Sequence, residues 1–302
     1  MRLIRYDDWS TGALIGDDTF VDVTDLVGGR DWAPMIASWA EVGPSISERI
    51  GRGSRASLGE ISLKAPLVAP RARIFALGSN FPDHAAAAKS VILGREVTEA
   101  EVLTEREQNL PPWGFTVIPE TVIGDGGTVV APPGTSMLDY EVEVCAILAS
   151  GGRHIHPDGL RIWGYTGWND LGVRDHYFGR GPAHDRGILI WALQKNFMGA
   201  NACGPAMVVD EPYDPGKVRM ITRVNGQTRQ DGSSKNMIWS FGDTAAHLSD
   251  YLELLPGDAL VSGTPAGTAV ESGRDGPYLR PGDRVEVEVE GAGVLTTLVG
   301  AR

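Results

Sequence analysis

Two glutamates separated by one residue carry the strongest chemical signal in the chain. Glu141 and Glu143 lie in the segment LDYEVEVCAIL, and alternate residues of a strand point to the same face. The strand continues as VCAIL, which is apolar on both faces and therefore typical of a buried strand. Two carboxylates at the inner end of such a strand need compensation, because burying unpaired charge is costly and like charges repel. A bound cation or a salt bridge to arginine would supply it.

A third carboxylate is needed for a metal site, and Asp170 in GYTGWNDLGVRDHYF is the best candidate. Ligation by carboxylate oxygens, without cysteine or clustered histidine, favours Mg²⁺, Mn²⁺ or Ca²⁺ over Zn²⁺. Three protein oxygens leave coordination positions open for a substrate. A carboxylate and an adjacent keto oxygen would fill them as a chelate, with the metal acting as a Lewis acid toward a developing enolate. The triad therefore predicts an enzyme that acts on a small 2-oxo acid.

A second glutamate alternation in the chain serves as a comparison. In RVEVEVEG the glutamates keep the alternation to the end, as one side of an exposed antiparallel strand would: Glu286, Glu288 and Glu290. We assign no function to this pattern.

The elements that must position the carboxylates are mostly strands. From residue 114 onward, glycine and proline separate short β-rich runs, which predicts an α+β, β-rich architecture with few helices. The clearest predicted helix is GDTAAHLSDYLELL at 242–255, which Pro256 and Gly257 end. The charged segment 92–112 is enclosed by prolines and is predicted to be an exposed insertion that serves as a lid beside the site.

The chain is predicted to divide into a small N-terminal domain, residues 1–68, and a catalytic domain, residues 69–302. The first begins with the strand-like RLIRYD and TFVDVTDLV and continues with helical stretches. Pro66, Pro70 and the apolar RIFALGSN then mark entry into the second domain.

Composition excludes several classes of protein. The 302 residues are 42% hydrophobic and 22% charged, as in an ordinary folded protein, and the net charge of -12 argues against nucleic acid and anionic membranes as partners. The chain shows no signal-like apolar start and no run long enough to span a bilayer, so we expect a cytoplasmic protein. Cys145 and Cys203 lie in apolar stretches and are expected to be reduced core residues.

Several long segments resemble the fumarylacetoacetate hydrolase family, in particular its acylpyruvase and 2-oxo acid hydrolase or decarboxylase branches. The resemblance runs from near Pro70 to the end and includes DYEVEV, GYTGWNDLGVRD, LQKNF, VNGQTRQDGSSKNMIWS, LLPGDALVSGTPAGT and LRPGDRVEVEVEG. It implies the family's mixed β-sandwich roll, a homodimer, and Mg²⁺ or Mn²⁺ held by Glu141, Glu143 and Asp170.

The resemblance also implies roles for residues around the metal. His84, in GSNFPDHAAAAK, falls at the position of the general base, and Lys195 falls where a lysine steadies negative charge on the substrate. Substrate binding is implied for Arg174 in the metal loop, for Tyr177 three residues later, and for Thr264 in the turn GTP. A histidine that titrates near neutrality suits a base, and a lysine suits an oxyanion. Taken alone, His84 would instead be a helix-start or surface residue, and Lys195 a partly exposed lysine.

Three positions depart from the family's pattern. Members of the acylpyruvase type carry a glutamate three residues after the histidine, where this chain has Ala87, and many carry a glutamine where this chain has Tyr177. Ile118 replaces a lysine. A histidine without its carboxylate is a poorer base. We therefore hypothesise that the charged insertion supplies the missing acid, the candidates being Glu96, Glu99, Glu101, Glu105 and Glu107.

The leading functional prediction is a catabolic, metal-dependent hydrolase that cleaves a C–C bond in an acylpyruvate-like 2,4-dioxo acid through a metal-stabilised enolate. His84 would direct water at the distal carbonyl, and Lys195 would support the developing charge. The alternatives are a decarboxylase, isomerase or hydratase/lyase on a small 2-oxo acid, which need no activated water. A further alternative is a non-catalytic ligand-binding protein that retains the fold.

Overall fold

The computed structural model describes residues 1–67, 72–179, 192–210 and 214–302. The strands in these ranges are β1 (Arg2–Tyr6), β2 (Ser10–Ile15), β3 (Thr19–Asp22), β4 (Arg55–Ser57), β5 (Leu63–Lys64), β6 (Ile74–Leu77), β7 (Gly114–Val117), β8 (Val122–Ile123), β9 (Gly127–Val129), β10 (Leu138–Asp139), β11 (Val142–Leu148), β12 (Ile162–Asp170), β13 (Gly172–Val173), β14 (Asn201–Val209), β15 (Arg219–Val224), β16 (Gln227–Ser233), β17 (Ala259–Val261), β18 (Arg284–Val289) and β19 (Gly293–Val299). The α-helices in the same ranges are α1 (Thr24–Val27), α2 (Ala33–Ala37), α3 (Trp39–Arg52), α4 (Pro82–Leu93), α5 (Glu99–Glu107) and α6 (Phe241–Tyr251).

Most of these strands belong to one large mixed sheet. Within the described residues, its strands lie in the order β4-β3-β2-β1-β14-β12-β11-β17-β6-β7, with β5 beside β1 and β8 beside β14. A second sheet has the order β16-β15-β18-β19-β9, and β10 pairs with β13. This β-rich arrangement confirms the predicted α+β fold class.

Strand β11 lies in the interior of the large sheet and is buried along its whole length. Alternate side chains face opposite ways, so Val142 and Val144 join a core that includes the valines of β18. Cys145 and Ile147 join a different core, which includes Trp32 of the N-terminal segment. Because both faces of the strand are covered, the apolar run VCAIL is buried, as its composition indicates.

The N-terminal strands extend the same large sheet. Strand β1 pairs antiparallel with β14, with Arg2 opposite Val208 and Leu3 opposite Met207. The predicted boundary between residues 68 and 69 falls on 68–71, outside the described residues, and the division into two domains stays a prediction. Among the described helices, none has the length and apolar character needed to cross a membrane.

Three local predictions have different outcomes. In β18 the valines are buried and Glu286 and Glu288 are partly exposed, which agrees with a strand that has one polar face. Helix α6 is shorter than predicted and ends at Tyr251, because Leu252 has an extended backbone conformation. Cys145 and Cys203 are buried and free, in agreement with their assignment to the core.

Candidate active site

Two neighbouring strands bring the three predicted metal ligands together. Glu143 lies on β11 and Glu141 just before it, so that their side chains share a face. Strand β12 pairs antiparallel with β11, and the N–H of Asp170 at its end donates to the carbonyl of Glu141 at 3.0 Å. Carboxylate oxygens of the three buried residues lie within 4.8 Å of one another. This acidic triad can hold a divalent metal ion.

The negative charge of the triad is unevenly compensated. Burial raises the pKa of Asp170 to about 6, although Lys195 opposes the shift. Burial, with Asp170 and Glu141 as neighbours, raises the pKa of Glu143 well above its ordinary value. For Glu141 burial acts in the same direction, but Arg174 and Lys195 outweigh it and lower the pKa to about 2. A bound cation would therefore stabilise the ionised forms of two of the three carboxylates, Glu143 and Asp170.

One oxygen of the triad points to the same conclusion. Oδ1 of Asp170 is buried and has no hydrogen-bond partner among the described residues. Buried polar atoms normally have hydrogen-bond partners. An unpartnered carboxylate oxygen among other carboxylate oxygens is a suitable ligand for a hard divalent cation. The residues present therefore fit the metal that the sequence predicts.

Arg174 and Lys195 form ion pairs with carboxylates of the triad. Lys195 Nζ lies 2.5 Å from Glu141 Oε2 and 2.8 Å from Asp170 Oδ2. Arg174 donates through Nη2 to Glu141 and through Nε to Asp139 at 3.2 Å. Salt bridges thus supply part of the compensation that the carboxylates need. Salt bridges satisfy Glu141, whereas one oxygen of Asp170 has no partner in the described part of the chain.

The buried charges form one cluster, which we call the charge cluster. Its carboxylates are Asp139, Glu141, Glu143 and Asp170, and its cations are Arg174 and Lys195. When all six side chains are ionised, the cluster carries a net charge of two negative units. A divalent cation would therefore neutralise it.

The loop between β6 and α4 places His84 beside the triad. Asn80 is fully buried, and its Nδ2 donates to the carbonyls of Trp239 at 3.0 Å and Ser262 at 2.8 Å. Its Oδ1 accepts from the N–H of Trp239 at 2.8 Å. Helix α4 then begins at Pro82, where proline fits the first helical turn. The asparagine therefore fixes the start of the helix that carries His84.

His84 is paired with a glutamate from a distant part of the chain. The ring is 7% exposed, and its Nδ1 lies 2.6 Å from Oε1 of Glu271. Glu271 lies in the 3₁₀ segment Ala269–Asp275, and its Oε2 accepts from the N–H of Gly267 at 2.8 Å. When Nδ1–H donates to a carboxylate, Nε2 is left as an acceptor. The imidazole is thus oriented to act as a base.

The hypothesis that the insertion supplies this acid is wrong. Glu101 pairs with Arg95 at 2.6 Å, and Glu105 pairs with Lys89 at 2.5 Å. The carboxylate beside His84 is Glu271. Glu271 and His84 are 187 positions apart in the sequence, so local spacing cannot indicate that they pair.

All eight predicted site residues line one cleft: His84, Glu141, Glu143, Asp170, Arg174, Tyr177, Lys195 and Thr264. The hydroxyl of Thr264 donates to the carbonyl of Val142 at 2.8 Å and accepts from Gln230 Nε2 at 2.8 Å. The N–H of Gly263 donates to Glu143 at 2.8 Å. The GTP turn therefore supports the ligand strand, and a role for Thr264 in substrate binding stays a prediction.

Two residues of the site were missed at the sequence level, although each leaves a local signal. Asp139 stands two positions before Glu141, so the alternation that identifies the glutamates extends to it. Glu271 stands three positions after Thr268, which is the spacing of a capping box, and this box is formed. Neither pattern by itself indicates contact with Arg174 or His84.

Comparison with known proteins identifies the family. Residues 73–300 match the model for the C-terminal domain of fumarylacetoacetate (FAA) hydrolase. The chain is 30% identical over 273 residues to the oxaloacetate tautomerase YisK of Bacillus subtilis, which covers 89% of this chain and 81% of that protein.

Solved structures show the same fold. The fumarylacetoacetate hydrolase of Exiguobacterium antarcticum superposes with a TM-score of 0.75 at 26% identity, over 100% of both chains. The maleylpyruvate hydrolase of Sphingobium sp. SYK-6, solved with manganese(II) and pyruvate, superposes with a TM-score of 0.73 at 22% identity, also over 100% of both chains. From the extent of the family match and these likenesses, the chain belongs to the fumarylacetoacetate hydrolase family.

Proposed function

We propose that this protein is a divalent-metal-dependent enzyme that transfers a proton at C3 of a small 2-oxo acid, as a tautomerase or isomerase. The observation that carries the proposal is the paired base: His84 lines the same cleft as the buried triad, and its Nδ1 lies 2.6 Å from Glu271. Proton transfer next to a carbonyl needs a positioned base and stabilisation of the enolate. The cleft combines both.

Three groups of residues divide the work. Glu141, Glu143 and Asp170 hold Mg²⁺ or Mn²⁺, with Ca²⁺ as a further candidate for this all-oxygen site. When bound, the metal supplies Lewis-acid stabilisation of negative charge on the substrate oxygens. Arg174 and Lys195 hold Glu141 in place through their ion pairs.

The proton is moved by the histidine. Glu271 accepts from Nδ1 of His84, so Nε2 would take the proton from C3 of the keto form and pass it to the C2 oxygen of the enol, and the reverse transfer would give the keto form. Lys195 balances the negative charge that develops on the C2 oxygen, while Arg174, Tyr177 and Thr264 position the substrate around it. Except for Glu271, which acts through His84, all of these side chains line one cleft.

The relatives support this assignment. The Bacillus subtilis protein is named an oxaloacetate tautomerase, and the Sphingobium structure contains manganese(II) and pyruvate. Both names describe small 2-oxo acids, and the second includes a divalent ion.

A specific observation also favours hydrolytic C–C cleavage of a 2,4-dioxo acid as a second candidate. The absence of a glutamate at Ala87 weakens water activation only if nothing replaces it, and Glu271 stands beside the histidine instead. The same pair that removes a proton from carbon can remove one from water. The two reactions therefore share a site and differ in the substrate's distal carbonyl.

The experiment is a panel assay of the metal-loaded protein with oxaloacetate, a 2,4-dioxo acid and phenylpyruvate. The enol absorbance, pyruvate and CO₂ are followed separately. Decay of the enol without pyruvate or CO₂ supports the tautomerase. Pyruvate without CO₂ from the 2,4-dioxo acid supports the hydrolase, and CO₂ from oxaloacetate above the rate with metal alone indicates a decarboxylase instead.

A matched pair of histidine variants tests the site. His154 Nδ1 lies 2.9 Å from Asp250 on the surface, so it is a histidine and carboxylate pair outside the cleft. We expect His84→Asn to lower kcat by about 100-fold or more, the usual share of general-base catalysis, and His154→Asn to leave it unchanged. Equal activity of both variants, or no reaction with any member of the panel, would overturn the proposal.

A further inference from the structure

The cleft changes character from its inner to its outer part. The inner part is formed by the buried triad with Arg174, Lys195 and His84. Around and outside this inner part, Ser79 and Tyr177 add polar groups, but most lining side chains are apolar: Leu77, Ala88, Ile92, Trp113, Phe115 and Val270. Two of them, Ile92 and Trp113, are 40% and 50% exposed, which places them at the mouth of the cleft.

An aromatic wall connects the two parts. The ring of Phe115 lies 6.0 Å from Lys195 Nζ, so the wall begins beside the charge cluster. Trp113, two positions earlier, covers the backbone of Gly78, whose N–H donates to the Trp113 carbonyl at 3.0 Å. A Cβ on Gly78 would lie 1.6 Å from the indole Cζ3. Glycine at this position therefore lets the indole lie flat against the wall of the cleft.

Within the part of the chain that the structure describes, the outer part of the cleft offers little positive charge for a second carboxylate. Among the described lining residues the basic side chains are His84, Lys89, Arg174 and Lys195. Lys89 is the one at the mouth, and its Nζ lies 2.5 Å from Glu105 on α5. Arg174 and Lys195 are engaged by the carboxylates of the charge cluster.

The net charge of the site also disfavours a second carboxylate on the substrate. A divalent ion neutralises the charge cluster, so the single carboxylate of a 2-oxo acid already makes the occupied site negative. A second carboxylate would meet apolar walls and a lysine whose charge Glu105 offsets. Desolvating it there would be costly, whereas an apolar group gains by leaving water.

From these contacts we infer that the substrate is a monocarboxylic 2-oxo acid whose distal group is uncharged and apolar, aromatic or branched, and packs against Trp113, Phe115 and Ile92. The inference rests on the proposed function, because it names the substrate class for that site. It makes Trp113 and Ile92 specificity-determining residues.

The test compares kcat/KM for ketonisation of phenylpyruvate enol and oxaloacetate enol by the metal-loaded protein. We expect phenylpyruvate to be preferred by about tenfold or more, the usual discrimination of an apolar pocket. Trp113→Ala and Ile92→Ala should lower this preference by about tenfold, and Trp113→Phe should keep most of it. Leu93→Ala is the matched control, since Leu93 follows Ile92 on α4, is 58% exposed and is not among the lining residues.

A charge variant gives an independent readout. Glu105→Gln releases Lys89, so the preference for phenylpyruvate should fall because oxaloacetate turnover rises. A wild-type preference for oxaloacetate that Lys89→Gln removes would overturn the inference and leave the proposed function standing.

Binding separates the two proposals if no substrate reacts. In that case the proposed function fails, and calorimetry with phenylpyruvate and pyruvate decides the inference. Binding of phenylpyruvate about tenfold tighter than pyruvate, lost in Trp113→Ala, supports the apolar subsite. Equal affinities overturn it.

Discussion

At the scale of single residues, the raised pKa values of Asp170 and Glu143 link metal binding to pH. The pKa of Asp170 is about 6 in the folded protein, against an ordinary value of 3.8, and that of Glu143 is also raised. A carboxyl with a raised pKa favours the folded state only while it is protonated. In the metal-free protein, the contribution of Asp170 to stability is therefore lost as the pH rises from its ordinary pKa through its folded pKa.

Metal should reverse this loss, because it binds the ionised carboxylates and competes with protons. We expect Mg²⁺ or Mn²⁺ to raise Tm more at about pH 7.5 than at about pH 5, as measured by scanning calorimetry. Glu286→Gln, a glutamate outside the cleft, should keep the effect, and Glu141→Ala should lose it. An equal rise in Tm at both pH values would contradict the prediction.

Glu271 should act by positioning His84 rather than by binding metal or substrate. We expect Glu271→Gln to lower kcat about 10- to 100-fold, because the imidazole loses the carboxylate that orients it. KM and the metal affinity measured by calorimetry should stay the same, whereas a general loss of structure would change both. Glu286→Gln serves as the control. Full activity of the Glu271 variant would show that the ring needs no carboxylate.

At the scale of elements, two buried valines of the insertion, Val97 and Val102, pack it against the rest of the molecule. Val102 of α5 is 1% exposed and lies in a small core with Ala85, Ala86 and Trp239. Since Ala85 and Ala86 follow His84 on α4, this core supports the helix that carries the base. The segment predicted as an exposed insertion thus packs against α4, and its role as a lid stays a prediction.

Two substitutions on α5 test this packing. We expect Val102→Ala to lower the free energy of unfolding by about 2 kcal/mol, because it leaves a cavity in the small core. Leu103→Ala, next on the same helix but 39% exposed, should change it by less than about 0.5 kcal/mol. Urea unfolding measures both. Similar losses in the two variants would mean that α5 is not docked through Val102.

At the scale of the whole molecule, the large sheet joins the N-terminal strands to the strands of the site. Strand β14 lies between β1 and β12, and β12 ends at Asp170. Two sets of strand-to-strand hydrogen bonds, β1 with β14 and β14 with β12, therefore connect the N-terminal strands to the strand that ends at Asp170. The cytoplasmic location, expected because the sequence shows no signal-like start and no membrane-spanning run, stays a prediction.

The homodimer implied by the family resemblance is also a prediction at this scale. We expect light scattering coupled to size exclusion to give twice the mass of a single chain. A mass of one chain across a wide range of protein concentrations would contradict it.

The sequence by itself determined the triad and its burial. The two-residue period of a strand places Glu141 and Glu143 on one face, and the apolar run after them requires a buried strand. Asp170 was found with them because its segment matches the family's metal loop. These signals lie in local spacing or in motifs shared by the family, so the sequence alone is enough to recognise them.

Only the tertiary structure decided which groups meet that triad. Glu271 reaches His84 across 187 positions, and Lys195 reaches Glu141 across 54, because separate elements converge on one end of β11 and β12. Pairing between side chains so far apart depends on strand order and loop paths, which no local period encodes. For the same reason, the sequence indicates no carboxylate partner for His84, whereas the folded chain places Glu271 beside it.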